Sequence, residues 1–273
     1  MENERIIILK HHPFNVKFTN AFYQKQFSPG ENPDDYVIVD TTSRNKDKNF
    51  IKGISPFFVG PCKASDGLVF NCFENMWQFD KVYSGKTVFE KIITKKNHQD
   101  IEFIASDPDG NPTEEWCKIR EFGASADFAY RHPYKGTPLY HYYRNEEGKE
   151  ERLGYVESRK KIYIPEYAKL VYNSPSFNHL KEILNSGKKL ALVDFDGYNY
   201  YNKDYMKGLF EKNKKKNPSL TLTEKDYIAI NTLIDVTECS QMRAGHAFVL
   251  KMLLQGDIEV IDGKVTDHAG ILC

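Results

Sequence analysis

The sequence predicts an α+β fold, rich in helix and built as a single domain with a few short strands and a strand-bearing N-terminal extension over residues 1–50. Three observations carry that prediction. Capped, amphipathic helix patterns recur along the chain. The strand-like runs are dispersed and lack the regular alternation with helices that a doubly wound sheet requires. The 273 residues, 40% hydrophobic and 14% aromatic, suffice for one large core.

Taken in order, "RIIIL" and "DYVIVD" read as strands separated by the turn-forming "SPGENPDD", and "TTSRNKDKN" reads as a loop. A short hairpin turns at Asp66-Gly67, and a helix follows from Asn71 to Tyr83. Thr87 and Glu90 have the spacing of a capping box, which predicts a second helix through "VFEKIITKK". Thr113 caps "EEWCKIREF", with Gly123 as its terminator. Ser174-Pro175 opens "SFNHLKEILNSG", whose Phe177, Leu180, Ile183 and Leu184 share a face. The apolar strand "KKLALVDFDG" comes next, then a lysine-rich loop at 212–216, a helix from about Thr223 to Asp235, a helix through "QMRAGHAFVLKMLLQG" and a closing strand pattern, "DIEVIDGKV".

Lysine and arginine total 38 and offset 38 acidic residues, so no global field draws the chain to nucleic acid or to an anionic membrane. Contact with a polyanion must be local. The excess of lysine over arginine and the frequent asparagine suit an AT-rich genome of viral or low-GC bacterial type. Cys62, Cys72, Cys117, Cys239 and Cys273 have no paired spacing suited to zinc or a disulfide framework, which points to a reducing cytoplasm. The apolar run in "RIIILKHHPF" is too short for a signal segment or a membrane span. Gly-rich phosphate loops, zinc patterns and Ser-His-Asp signatures are missing, so the expectation is a chain without metal or cofactor.

The segment "VFNCFENMWQFDKVYSG" raises the functional question. On a helix, Glu74, Gln78 and Lys81 share one narrow face flanked by Trp77, while most of the circumference is apolar. A helix so apolar is normally packed inside, and burying a carboxylate and an amine there costs several kcal/mol unless they pair or face a wet cavity. One reading makes the stripe the lining of a pocket. The other has Glu74 capping its own helix from Asn71, with Lys81 reaching solvent along Trp77.

The run "PFFVGPCKASDGLVFNCFENMWQFDKVY" resembles the signature of the NADAR (YbiA-like) superfamily: an aromatic pair, a hairpin carrying Asp-Gly, and a helix of pattern Glu-His-aromatic-aromatic-Gln-x-x-Lys-aromatic. Glu74, Gln78 and Lys81 fall on that motif, and Phe57 and Phe58 on the aromatic pair. "IYIPEYAKLVYNSPSFNHLKEILNSGKKLALVDFDG" is similar to the family's helix pair and its strand ending in an acid. Together these cover about a third of the chain. Asn75 stands where a histidine is usual, Ser55-Pro56 replaces an asparagine, and the family's Asp-x-x-Trp-Gly has no counterpart near Asp196. The chain thus looks like a divergent member, with 51–273 as the YbiA-like domain, and a phage or bacterial counter-defence enzyme is one expectation that follows.

What the resemblance implies is cleavage of an N-glycosidic bond, with ADP-ribosylated guanine in nucleic acid or a related nucleotide as substrate and partner. Glu74 would stabilise the oxocarbenium charge and deprotonate a ribose hydroxyl or water. Lys81, dried against Trp77, would trap the opened ribose as a Schiff base, and Gln78 would orient the substrate. Asp194 matches the family's acid after the valine, and Asp196 follows it at the strand end, where binding crevices form. Asp196-Gly197 equally suits an ordinary turn. Arg131 and Arg159, beside Lys160 and Lys161, offer charge for a pyrophosphate, against the plain alternative of surface residues. His246 reads as a core histidine, and His11-His12 lacks metal partners.

Overall fold

In the computed structural model, which describes residues 5–12, 17–94 and 97–273, the chain is α+β and divides into two compact units. One comprises 1–55 with 171–273, the other 56–170. The expected division at residue 50 is not the one drawn by the chain. Ile6–Lys10 and Tyr36–Asp40 flank Lys189–Asp194 in a parallel three-stranded sheet, with Leu9 opposite Val193 and Val193 opposite Asp40. The N-terminal strands are therefore structural partners of a segment about 150 to 185 residues away rather than an appendage.

That sheet is apolar on both faces, as parallel sheets are. Ile7, Leu9, Ala191 and Val193 pack with Tyr23, Phe27 and Tyr36 on one side. The alternate residues Ile6, Ile8, Leu190 and Leu192 are buried too, and the helices Pro175–Asn185 and His246–Gln255 pack on the strands. Ser174 caps the first of these helices by accepting from the Phe177 amide at 3.1 Å. Three expectations in this unit change. The lysine run is the end of a helix, Lys203–Lys216, where cations complement the carbonyl end of the helix dipole. The helix expected over 223–235 is two, Glu224–Ala229 and Leu233–Glu238, each opened by its own Thr-x-x-Asp capping box. The polar stretch before residue 53 also holds a short helix, Lys48–Lys52, capped by Asp47.

The 56–170 unit holds more strand than the sequence reading assigns. Its hairpin Cys62–Lys63 and Val69–Phe70 turns at Asp66-Gly67 as expected. Lys86–Thr94 is a strand paired with Asn97–Ile104, not a helix, and residues 95–96 of the expected helix lie outside the described residues. Thr87 and Glu90 only imitate a capping box: the run is β-branched and aromatic, Thr87 and Phe89 turn inward on alternate positions, and the Thr87 hydroxyl donates to the Lys135 carbonyl at 2.8 Å. A second sheet sets Pro138–Arg144 between Glu150–Leu153 and Lys81–Tyr83. Among the described residues no helix is long and apolar enough to cross a membrane.

Gly123 does not end its helix, which runs Glu114–Ser125. It makes room instead. A Cβ there would stand 2.3 Å from the Phe79 ring, so the helices carrying Gly123 and Phe79 approach only because the side chain is missing. Gly123→Ala is expected to lower stability by about 1–3 kcal/mol through overpacking, read as an earlier denaturant midpoint. An unchanged midpoint would show that the ring moves aside freely.

Candidate active site

Phe73–Phe79 is the helix of the polar stripe, shorter than the expected 71–83. Asp80 ends it, and Lys81 begins a strand. The first amides of the helix are satisfied from outside. Phe73 and Glu74 donate to the carbonyls of Val59 and Pro56, each at 2.9 Å, and Cys72 at the cap position contributes no side-chain bond. The "PFFV" segment therefore caps the helix with its backbone. Of its aromatic pair, Phe57 is half-buried and Phe58 exposed.

With its helix start satisfied in that way, the Glu74 carboxylate is engaged along the stripe. It accepts from the Gln78 amide nitrogen at 2.9 Å, and Gln78 Oε1 accepts from Lys81 Nζ at 2.6 Å. Glu74 and Gln78 are buried and Lys81 is half-buried. The amide thus links the acid to the amine and presents the correct polarity to each: its donor faces the carboxylate, its acceptor the lysine. Lys81 meets Gln78 from the start of a strand rather than from the next helical turn, so the grouping expected from helical spacing arises by another geometry.

The wall beside this chain is aromatic. Lys81 Nζ stands 5.2 Å from the Trp77 ring centroid. His141 stacks on Trp77 at 4.1 Å and 26°, and Tyr163 meets the same ring edge-on at 4.8 Å. His141, which the sequence reading missed, lies directly across the strand pair from Lys81. Its Nε2 is buried with no hydrogen-bond partner among the described residues. Burial first, and the Lys81 charge second, hold its pKa well below the ordinary imidazole value, with a hydrogen bond to the Trp77 backbone acting in the opposite sense. The available signal was a histidine embedded in the aromatic run "PLYHYYR", where Tyr140, His141 and Tyr142 are buried in succession, as on a strand covered on both faces.

A histidine whose folded pKa is depressed binds fewer protons folded than unfolded as pH falls below 6.5. Stability is therefore lost on acidification in that window, by about 1.4 kcal/mol per pH unit from this one group. His141→Phe keeps a ring on Trp77 and should flatten the fall in denaturation free energy between pH 6.5 and 5. Identical slopes for the two proteins would contradict the buried neutral imidazole.

Asn75, at the position where the resembling family has histidine, is fully buried and committed to the backbone. It donates to the carbonyls of Gly123 and Phe128 at 3.1 and 2.9 Å and accepts from the Tyr130 amide at 2.7 Å. Arg131 is half-buried. Arg159 is not a surface residue: it is buried in the π-helical turn Arg159–Tyr163, its guanidinium 4.5 Å over the Tyr155 ring. Neighbouring Lys161 pairs with Glu151 at 2.8 Å. A cleft of about 200 Å³ in this unit is lined by Met76 of the same helix and Asp80 at its end, together with Lys63, Arg144 and Lys161.

Asp194 and Asp196 belong to the other unit. Asp194 is buried at the end of the central parallel strand, where Oδ2 accepts from the Ala247 amide at 3.1 Å and stands 3.2 Å from His246 Nδ1. His246 Nε2 lies 3.0 Å from the Thr41 carbonyl. Gly245 is required there, since a Cβ would lie 2.3 Å from Asp194 Oδ2. The carboxylate thus ties the start of the His246–Gln255 helix to the sheet, and His246 has the structural place expected of it. Asp196 is half-buried and 3.5 Å from Arg243.

Among the described residues no group of three or more His, Cys, Asp or Glu is arranged to hold a metal ion. Compared with known protein families, with curated proteins and with solved structures, the chain matches none.

Proposed function

We propose that the chain is an N-glycosidase of the NADAR type that removes ADP-ribose from guanine in nucleic acid, or from a related nucleotide N-glycoside. The observation that carries this reading is the chain Glu74–Gln78–Lys81, an acid and an amine bridged by one amide beside Trp77. Breaking the bond between ribose C1 and the base sends its electron pair to the base nitrogen, which takes up a proton. Positive charge grows on C1 and the ring oxygen, where the Glu74 carboxylate stabilises it. Lys81 Nζ bonds to C1 as an amine, one N–H proton passing to the departing base nitrogen and the other to the ring oxygen as the C1–O bond opens to the imine; water then hydrolyses the imine, returning the amine and releasing ADP-ribose. The balance is one water consumed per bond cleaved. Gln78 holds acid and amine in register, and the Trp77 ring, with His141 stacked on it, shields the amine from water.

The test is turnover by purified protein, without added metal, of DNA carrying guanine-linked ADP-ribose. Release of free ADP-ribose is the expected result. Affinity should fall only weakly with salt, because the net charge is zero and recognition rests on the ADP-ribosyl group. No turnover of that DNA, of ADP-ribosylated RNA or of free nucleotide N-glycosides by folded protein would contradict the reading.

One observation favours a second reading, an inert module that binds the same ligand. Asn75 spends its whole amide on the backbone, so that position supplies no proton donor or acceptor to a reaction. A thermal shift with ADP-ribose but no turnover would select it.

A further inference from the structure

A cleft of about 380 Å³ lies in the unit formed by 1–55 and 171–273 and is lined by residues from that unit alone. It sits beside the carboxyl ends of the parallel strands. Lys10 is the last residue of the first strand, and Asp196, Gly197 and Tyr198 follow directly on the central one. Open parallel sheets place ligands there, because the loops leaving the strands diverge and leave a crevice. The turn is built tightly: a Cβ on Gly197 would stand 2.3 Å from the Leu9 carbonyl oxygen.

The lining has three chemistries. Lys216 and Arg243 contribute positive charge against the single carboxylate of Asp196, and Lys10, whose ammonium donates to the Phe195 carbonyl, adds a third cation at the strand end. Asn213 and Asn217 bring carboxamides. Tyr198, Leu209, Leu220 and Met242 form an apolar wall. Two details favour an anion over simple surface charge. In the lysine run, Lys214 turns back onto the carbonyls of Pro218 and Leu220, at 3.1 and 2.8 Å, whereas Lys216 faces the cleft. The Arg243–Asp196 pair is long, 3.5 Å, with the arginine side chain 64% exposed. Such a pair contributes little, so Arg243 can exchange it for a two-pronged bond to a phosphate.

We propose that this cleft binds a nucleoside monophosphate, with the phosphate among Lys10, Lys216 and Arg243 and the base against the apolar wall. The volume lies within the range of about 300–1,000 Å³ usual for small-molecule sites. An inorganic phosphate would make no use of the apolar wall, and a bare nucleoside would make no use of the charge of Lys216 and Arg243. The inference stands apart from the glycosidase reading and concerns the other unit of the chain.

Isothermal titration of the full chain with 5′-AMP, 5′-GMP, adenosine and inorganic phosphate tests it. At least one nucleotide should bind, with adenosine and phosphate each weaker by about tenfold or more. The double variant K216A/R243A should lose about tenfold in nucleotide affinity with an unchanged melting profile. If that variant does not fold, K216A alone, an exposed residue at a helix end, should shift affinity in the same direction. A crystal soaked with the tighter nucleotide should place its phosphate among the three cations. Absence of binding by folded protein would overturn the proposal. So would affinity for phosphate alone equal to that for the nucleotide, affinity unmoved by the variants, or a nucleotide seated only beside Glu74 and Lys81.

Discussion

Glu74→Gln is expected to lower release of ADP-ribose by at least about a hundredfold, the usual scale for a general acid-base group, while melting near or above the unaltered protein. The substitution keeps the volume of a buried side chain and keeps an oxygen for the Gln78 amide, which donates to Glu74 at 2.9 Å. It removes the charge. Because the Phe73 and Glu74 amides bond to the carbonyls of Val59 and Pro56, the helix start does not depend on that charge. The comparison pairs a turnover assay with a melting curve. A midpoint several degrees lower with activity retained would show that the acid serves structure.

The largest effect on stability is expected at Arg120. Its guanidinium donates to Asp80 at 2.6 Å and to both oxygens of Asp66 at 2.7 and 3.0 Å, against the rings of Phe70, Trp116 and Tyr142. Arg120→Met fills part of the space but leaves Asp80, whose side chain is 3% exposed, with its charge uncompensated. Breaking a buried pair in this way costs about 3–5 kcal/mol. Burial already pushes the Asp80 carboxyl up to about 6, with the Arg120 charge pulling the other way. A carboxyl raised above its unfolded value holds more protons folded than unfolded, so its contribution to stability falls as pH rises through that window. Without the arginine the shift grows, and the deficit of Arg120→Met relative to the unaltered protein should be larger at pH 8 than at pH 5. Denaturant titrations at both values measure it. A deficit below about 1 kcal/mol at pH 8, the scale of a surface pair, would contradict the account of a buried ion triad.

The division between what was legible in the sequence and what was not follows the range of the interactions. The Ser174 and Thr113 helix starts and the Asp66-Gly67 hairpin depend on bonds within a few residues, and they are where the sequence places them. The parallel sheet depends on pairing among residues 6–10, 36–40 and 189–194, and no local pattern announces such partners. Their continuous apolar runs were nevertheless a signal of strands buried on both faces. Thr87 with Glu90 shows the reverse failure, a local helix signature overridden by β-branched neighbours and by a partner strand.

The candidate site divides in the same way. Glu74 and Gln78 were legible because four residues on one helix are near neighbours. Lys81 does meet Gln78, but not by the helical spacing that suggested it, since the helix stops at Phe79 and the amine arrives from a strand. His141 owes its position to a cross-strand register 60 residues long in sequence, Lys81 opposite His141, and that register is a property of the folded sheet. The commitment of Asn75 to three backbone groups likewise depends on segments around 123–130 that only tertiary structure brings to it.

The most direct test of the proposed glycosidase reading is covalent capture at Lys81. Borohydride added during turnover of guanine-linked ADP-ribosylated DNA should reduce the imine to a stable secondary amine, and peptide mass spectrometry should find the ADP-ribosyl adduct on Lys81. Lys81→Arg, which retains the charge but not the nucleophile, should give no adduct and no release. An adduct on another lysine, or full turnover by Lys81→Arg, would contradict the assignment of the amine and with it the role of the Glu74–Gln78–Lys81 chain.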